Sequence, residues 1–410
     1  MLKPLVIKQK LHFKNRLIKD VIGFLSIGLP NTLWPRLIGG CVRDAILQHE
    51  PNDIDIATPL TPDEVISILE KEKVKIIPQT GTKFGTVKVV FKGEIFDITT
   101  LREDIKCYGR HADVKFTTSF EKDAFRRDFT INALGYCFIQ NEIYDYVNGI
   151  QHLRQKKVQF IGAPEDRIQE DYLRIMRFFR FSARYATSLD VSGYTNCVKY
   201  ANKLSLISNE RVIQELDGLL NLCNVKILNK MHEGKILQTI FADLNIEISN
   251  LSRLEECRTY LKLPQSSLSL RYSSLFMHNP VKNVIQVLKK KSFSKARIAK
   301  ISHLMSYIID TQTADLLWYD HTNCFTEHVI IGYVRRDLTL NNAAILLQQF
   351  INKPKPMLPI TGKDITDLGI LPGKEIKRLL DISKKVWIKS AFKMSKKDIL
   401  QYIIKTAHKN

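Results

Sequence analysis

Three acidic residues carry the first chemical suggestion. Asp53 and Asp55 stand two apart, and on a strand residues i and i+2 share a face, so their carboxylates lie together while Ile54 and Ile56 turn to the core. Their repulsion calls for a cation. Hard oxygen donors suit Mg²⁺, which takes one or two protein carboxylates and leaves its other positions to water and phosphate. Alone, the pair reads equally well as a strand end bearing two solvated acids. Asp97 tips the balance: Ile95, Asp97 and Thr99 share one strand face and Phe96 and Ile98 the other, so a carboxylate stands among apolar neighbours. Three acids on neighbouring strands make a metal site. Two cations about 3.5–4 Å apart would activate an attacking oxygen and stabilise a leaving one in phosphoryl transfer, with Asp97 placed to take the proton. Upstream, Leu37-Ile-Gly39-Gly40-Cys-Val-Arg43 runs from a strand through two glycines into a helix start, where backbone N–H groups, the helix dipole and Arg43 would hold phosphate. A plain tight turn explains Gly39-Gly40 as well.

Positioning these residues takes an α/β module. Residues 1 to about 30 have helical spacing with basic punctuation, and Pro30 and Pro35 bracket the turn into a strand at Arg36-Leu37-Ile38. Strand-like runs follow at Asp53–Ala57, Lys75–Pro78, Thr86–Lys92 and Glu94–Thr99, the last two as a hairpin turning at Lys92-Gly93-Glu94, with a helix over Pro62–Glu70 behind Thr61. After about Arg167 the period becomes 3.6, predicting helices over Glu170–Tyr185, Glu210–Leu222 and most of 224–350; Lys353-Pro-Lys-Pro-Met-Leu-Pro reads as a linker. The whole is an ordinary globular composition of 410 residues, 44% hydrophobic and 25% charged, which excludes a disordered or fibrous chain. Its 62 Lys and Arg against 42 Asp and Glu leave +20, favouring a polyanionic partner, nucleic acid first. Residues 351–410 hold 14 Lys or Arg and 5 Asp or Glu, so nearly half the excess lies there, on a phosphate-binding or merely solvated face. Seven scattered cysteines with no C-x-x-C pair suggest neither disulfide framework nor zinc ribbon, and point to a reducing cytosol. No apolar run suits a membrane span, and a Lys-rich start leaves room for a transit peptide.

The residues also resemble a family. Gly39-Gly40-Cys-Val-Arg43-Asp44 with Asp53-x-Asp55 is similar to the signature of DNA polymerase β-type nucleotidyltransferases, specifically the class II tRNA nucleotidyltransferases (CCA-adding enzymes) and bacterial poly(A) polymerases. In the same order, Phe96-Asp97-Ile-Thr-Thr-Leu-Arg102 resembles the third-carboxylate strand, Asp123-x-x-Arg126-Arg127-Asp128-Phe-Thr-Ile-Asn132-Ala the ribose and phosphate motif, and Tyr144-Asp145-x-x-x-Gly149 the next block, where His152 replaces the usual Asp. Glu170-Asp171-x-x-Arg174-x-x-Arg177-x-x-Arg180-Phe181 resembles the base-selecting helix and Glu210-Arg211-x-x-x-Glu215-Leu216 the block closing the neck; Thr361-Gly-Lys-Asp364 through Gly373 is similar to a stretch near the C-terminus of bacterial members.

The resemblance implies an α+β chain: a polymerase β-like nucleotidyltransferase head with a short mixed sheet over 1–140, a helical neck over 141–222, an RNA-binding helical body over 223–350 and a basic RNA-binding helical tail over 351–410. It implies attack of a tRNA 3′-hydroxyl on the α-phosphate of CTP or ATP. Asp53 and Asp55 would hold a two-metal Mg²⁺ site and Asp97 would assist the hydroxyl. Gly40, Arg43 and Arg127 would meet phosphates and sugar. Asp171 and Arg174, three apart on one helical face, form at least a surface ion pair. As base readers they have more to offer, because a carboxylate only accepts and a guanidinium only donates. Cytosine and adenine each pair an exocyclic amine with a ring-nitrogen acceptor, whereas guanine and uracil put a carbonyl there, so the pair admits C or A and opposes G or U. Arg177 and Arg180 go to the triphosphate or, alternatively, to tracking the nucleic-acid backbone or to neck packing.

Three activities fit the resemblance: full CCA addition, partial C or A addition, and polyadenylation. Gly81-Thr-Lys-Phe, where poly(A) polymerases tend to be more basic, favours the tRNA enzyme, and a flexible loop after the third-acid strand, with Gly109 and Arg110, favours the capacity to add A. The absence of any His-Asp dipeptide argues against an attached metal phosphohydrolase domain. A catalytically inactive RNA-binding scaffold would share the charge, but it has no reason to keep three repelling acids.

Overall fold

The computed structural model describes residues 4–51, 53–77, 85–108, 111–309, 314–320, 324–350, 354–370 and 373–407. Gly81-Thr-Lys-Phe, Gly109 and Arg110 lie outside them. The chain packs as two compact units, Met1–Ala242 and Asp243–Asn410.

Among the described residues the first unit is built on ten strands: β1 (Leu5–Lys8), β2 (Arg36–Ile38), β3 (Asp55–Thr58), β4 (Lys75–Ile77), β5 (Thr86–Phe91), β6 (Glu94–Thr100), β7 (Arg102–Tyr108), β8 (His111–Phe116), β9 (Gly135–Cys137) and β10 (Glu142–Asp145). Eight form one mixed sheet in the order β1-β10-β9-β2-β3-β6-β5-β4, in which only β3 and β6 run parallel. Strand β6 alternates as its sequence demands, with Phe96, Ile98 and Thr100 buried and Asp97 and Thr99 on the more open face. The β5–β6 hairpin turns on two residues, Lys92 (φ 48°) and Gly93 (φ 89°), whose left-handed backbone matches the twist of the paired strands. That turn fixes the register.

Two expectations fail here. Residues 1–30 are not helical throughout: Leu5–Lys8 pairs antiparallel with β10, because an edge strand offers β-branched Val6 and Ile7 a hydrogen-bonding partner that helical spacing alone does not reveal. The stretch after β6, expected as a flexible loop, holds two paired strands among its described residues, β7 and β8, which run antiparallel.

Helices complete the unit: α1 (Ile18–Ser26), α2 (Gly40–Ile46), α3 (Pro62–Lys71), α4 (Phe120–Phe125), α5 (Gly149–Arg154), α6 (Pro164–Glu170), α7 (Leu173–Tyr185), α8 (Val191–Lys199), α9 (Asn209–Leu222), α10 (Val225–Glu233) and α11 (Ile236–Ile240). Thr61 caps α3 in a reciprocal box with Glu64, and α3 packs on β4, β5, β6 and α1. The helix foreseen over Glu170–Tyr185 is in fact two, because extended Asp171 (φ −151°, ψ 106°) ends α6 before α7 begins. Phe178 and Phe181 of α7 anchor it on Phe129, and Phe178 stacks on Phe160.

The second unit is helical among the described residues: α12 (Ser249–Tyr260), α13 (Leu268–Phe276), α14 (Val281–Lys290), α15 (Lys295–Ser306), α16 (Ala314–Asp320), α17 (Phe325–Arg335), α18 (Leu340–Phe350), α19 (Gly362–Thr366), α20 (Lys374–Lys389) and α21 (Lys396–Ala407). Its helices close over Leu254, Leu304 and Ile331 on one side and over Trp318 and Phe350 on another, while Trp387, Ile399 and Ile403 hold the last turns.

Candidate active site

Register brings two of the three acids together. Asp55 on β3 lies directly opposite Asp97 on its parallel neighbour β6, and Asp97 lies opposite Lys88 on β5, so acid, acid and lysine form a row across three strands. Asp53 sits in the bend just before β3 rather than on the strand, and is exposed. Burial pushes the Asp55 carboxyl above its ordinary range, a push that Arg127 opposes and Asp97 and Asp53 reinforce. Lys88 Nζ stands 3.0 Å from Oδ1 and from Oδ2 of Asp97 but hydrogen-bonds only to Oδ2, leaving Oδ1 buried without a hydrogen bond. An all-oxygen donor set with mutual repulsion and a buried oxygen lacking a hydrogen bond fits a hard divalent cation. Lys88 was not foreseen, although the two-residue turn already sets it opposite Asp97.

Asp55 lines a cleft of about 530 Å³ whose wall includes Gly39, Gly40, Arg43, Arg127, Asp171, Arg174, Arg177 and Phe181. Gly39 has a left-handed backbone (φ 70°), and a Cβ there would come within 3.1 Å of the Arg127 guanidinium, so glycine lets strand, helix and arginine meet. Arg43 is buried, donates to Asp44 and Asn132 at 2.9 and 2.5 Å, and lies 4.2 Å from the Tyr185 ring centre. Arg126 and Arg127 both grip Asp123.

The helical wall differs from the expected pairing. The side chains of Asp171 and Arg174 do not pair, although the Arg174 N–H donates to the Asp171 carbonyl at 2.9 Å. One Asp171 oxygen accepts the Leu173 N–H at 3.0 Å, starting α7, and the other accepts from Arg211 at 2.8 Å. Arg174 donates to Glu170 at 2.5 Å and to the carbonyls of Arg167 and Arg126 at 2.9 and 3.2 Å. Both still line the cleft. Arg177 bridges Asp128, at 2.6 Å, and Glu215, at 3.5 Å. Burial works against ionising Asp128, yet Arg177 and Asn132 outweigh it and hold the carboxyl below its ordinary range. Arg180 does not line the cleft: it binds Glu215 at 2.5 Å, and a Cβ on Gly218 would come within 2.7 Å of its Cδ.

Comparison with known proteins reads the same way. Residues 35–159 match the family model described as the poly A polymerase head domain. The chain is 32% identical over 396 residues to the human mitochondrial CCA tRNA nucleotidyltransferase 1, covering 90% of this chain and 86% of that one. It belongs to the CCA tRNA nucleotidyltransferases. The CCA-adding enzyme of Staphylococcus epidermidis is 30% identical over 345 residues, 80% of this chain and 82% of the relative. In fold, the Bacillus stearothermophilus CCA-adding enzyme in complex with CTP aligns at TM-score 0.72 and 22% identity over 97% and 99% of the two chains. The Thermotoga maritima CCA-adding enzyme complexed with tRNA aligns at TM-score 0.70 and 18% identity over 96% of each.

Membership in this nucleotidyltransferase family implies use of a divalent metal. Several cleft residues stood in the family-like motifs without a role of their own: Arg102, Arg126, Asp128, Asn132, Glu170 and Arg211. Charge in a motif was the signal, but only the fold shows which charges converge. The departure at His152 is local, its Nδ1 meeting Thr130 Oγ1 at 2.9 Å while Asp145 takes the N–H groups of Gly149 and Ile150 at the start of α5. Neither lines the cleft. Among the described residues no helix is long and apolar enough to cross a membrane.

Proposed function

We propose that this nucleotidyltransferase adds C and A from CTP and ATP to the 3′ end of tRNA without a nucleic-acid template, releasing pyrophosphate. The observation that carries the reading is the in-register pair Asp55 and Asp97, of which Asp55 lines a cleft that also holds Asp171 and Arg174.

We assign a two-metal Mg²⁺ site to Asp53 and Asp55, which would hold the ions; these would supply a lowered pKa for the attacking hydroxyl and charge to offset the leaving pyrophosphate. Asp97, held by Lys88 beside Asp55, takes the proton of the 3′-hydroxyl. Gly40, Arg43 and Arg127 meet the phosphates and sugar, the glycine through its backbone and the arginines through charge. Arg177 extends the positive wall to the triphosphate. Arg180, turned to Glu215, serves as a positioning residue that locks α7 on α9.

Asp171 and Arg174 read the base. Arg174 donates three bonds of a guanidinium's five N–H groups, and Asp171 accepts two of a carboxylate's roughly four, so each keeps capacity for the edge of cytosine or adenine. For location, cysteines that are free at Cys41, Cys137, Cys197, Cys257 and Cys324 support a reducing compartment, the cytosol; the mitochondrial naming of the human relative supports the organelle instead, and cell fractionation decides.

Purified protein, Mg²⁺, tRNA lacking its terminal CCA, and CTP with ATP form the test. Sequencing of the product ends is expected to show C, C and A and then arrest. Long runs of A would move the protein to polyadenylation, and no extension would leave an RNA-binding scaffold.

A further inference from the structure

The second unit holds a cluster that the reaction does not use. His303 on α15 meets Cys324, which caps α17, and His328, one turn into α17. The two imidazole Nε2 atoms stand 3.1 Å apart, Cys324 Sγ lies 3.6 Å from His303 Nε2, and all three donor atoms lie within 4.8 Å of one another. His328 is buried and the other two half-buried. Tyr307 packs against both imidazoles, with ring centres 4.7 Å from His303 and 5.5 Å from His328, which holds their orientation.

We propose that His303, Cys324 and His328 form a Zn²⁺ site. Zinc takes nitrogen and sulfur donors at about 2.05 and 2.3 Å in tetrahedral array, which sets donor edges of about 3.3 Å for N···N and about 3.6 Å for N···S. Two edges of the cluster already stand at 3.1 and 3.6 Å. Mixed imidazole and thiolate donors select zinc over the hard Mg²⁺ assigned to the carboxylates of the first unit. Cys324 and His328 share a helical face at i and i+4, so they present two donors together, and His303 brings the third from another helix. The three leave the fourth corner to water. The Cys324 thiol gives up its proton to solvent as the S–Zn bond forms. Bound zinc ties α15 to the start of α17 and thereby stiffens the second unit. A metal-free alternative is an N–H···N bond between two neutral imidazoles with the thiol donating to one of them.

Cobalt(II) added to the purified full-length chain in excess Mg²⁺ separates the two. The expected spectrum has the intense visible bands of a tetrahedral ion and a thiolate-to-cobalt charge-transfer band, both abolished by one equivalent of Zn²⁺. Cys324→Ser is expected to lose the charge-transfer band, and His303→Gln to weaken binding by more than about 100-fold, beyond the loss seen for outer partners of metal ligands. Asp97→Ala is expected to keep both bands, which separates this site from the carboxylates. Circular dichroism checks that each variant is folded, and a zinc-dependent rise in melting temperature in wild type alone gives a second readout. Absence of the charge-transfer band in wild type, or its persistence in folded Cys324→Ser, overturns the proposal.

Discussion

The two sides of the cleft are held by different forces. On the sheet side, backbone register sets Asp55 beside Asp97 and Lys88, and no side-chain pairing is needed to bring them together. On the helical side, each charged side chain is held by a lattice of ion pairs: Asp171 by Arg211, Arg174 by Glu170, and Arg177 by Asp128 and Glu215. Register cannot slide without turning every side chain on the strand to the other face, whereas ion pairs exchange partners at modest cost. A rigid acid row suits a step that is the same for every nucleotide. A wall of exchangeable pairs suits one that must accept two different bases.

The largest effect should come from the rigid side. Removing Asp97 is expected to slow incorporation of CTP and ATP alike by on the order of 10²–10⁴-fold, the range for loss of a general base, as read by single-turnover extension. Asp53→Ala and Asp55→Ala should abolish turnover with both, and chelating the divalent cation should do the same. Arg177→Met leaves Asp128 buried without its main partner, and is expected to cost about 3 kcal/mol of stability in urea titration, which would show that the helical lattice is structural as well as functional. Asp171→Ala should cost discrimination rather than rate, by about 1–3 kcal/mol or roughly 5–150-fold in the preference for C and A over G and U.

The smallest effect is at acid pH. Folding holds Asp123 and Asp128 below the ordinary aspartate value of about 3.9, despite burial, because Arg126, Arg127 and Arg177 surround them. Their contribution is therefore complete at neutral pH and is lost as pH falls from about 4 through the depressed folded values. Asp128→Asn should flatten that acid limb in a pH series of unfolding midpoints.

Local pattern made the rigid side legible. Alternation in β6 and the tight turn after β5 placed Asp97 on the open face, and motif order placed Asp55 beside it. The helical side was less so, because its partners come from distant segments: nothing near Asp171 in sequence announces Arg211, and 3.6-residue periodicity ran unbroken through the point where α6 ends. The pairing of Leu5–Lys8 with β10 was hidden for the same reason. Arg180 shows the limit of spacing arguments, since its place three residues after Arg177 predicts the same face, yet Gly218 opens a slot that draws it toward α9. The His303, Cys324 and His328 cluster joins two helices whose sequence spacing gave no warning.

The most direct test of this division is a four-nucleotide competition on tRNA lacking its terminal A, run side by side for wild type, Asp55→Ala and Asp171→Ala. The account predicts that Asp55→Ala loses incorporation of all four equally, while Asp171→Ala keeps most of its rate with ATP and gains GTP and UTP. An equal loss across all four nucleotides in both variants would contradict it.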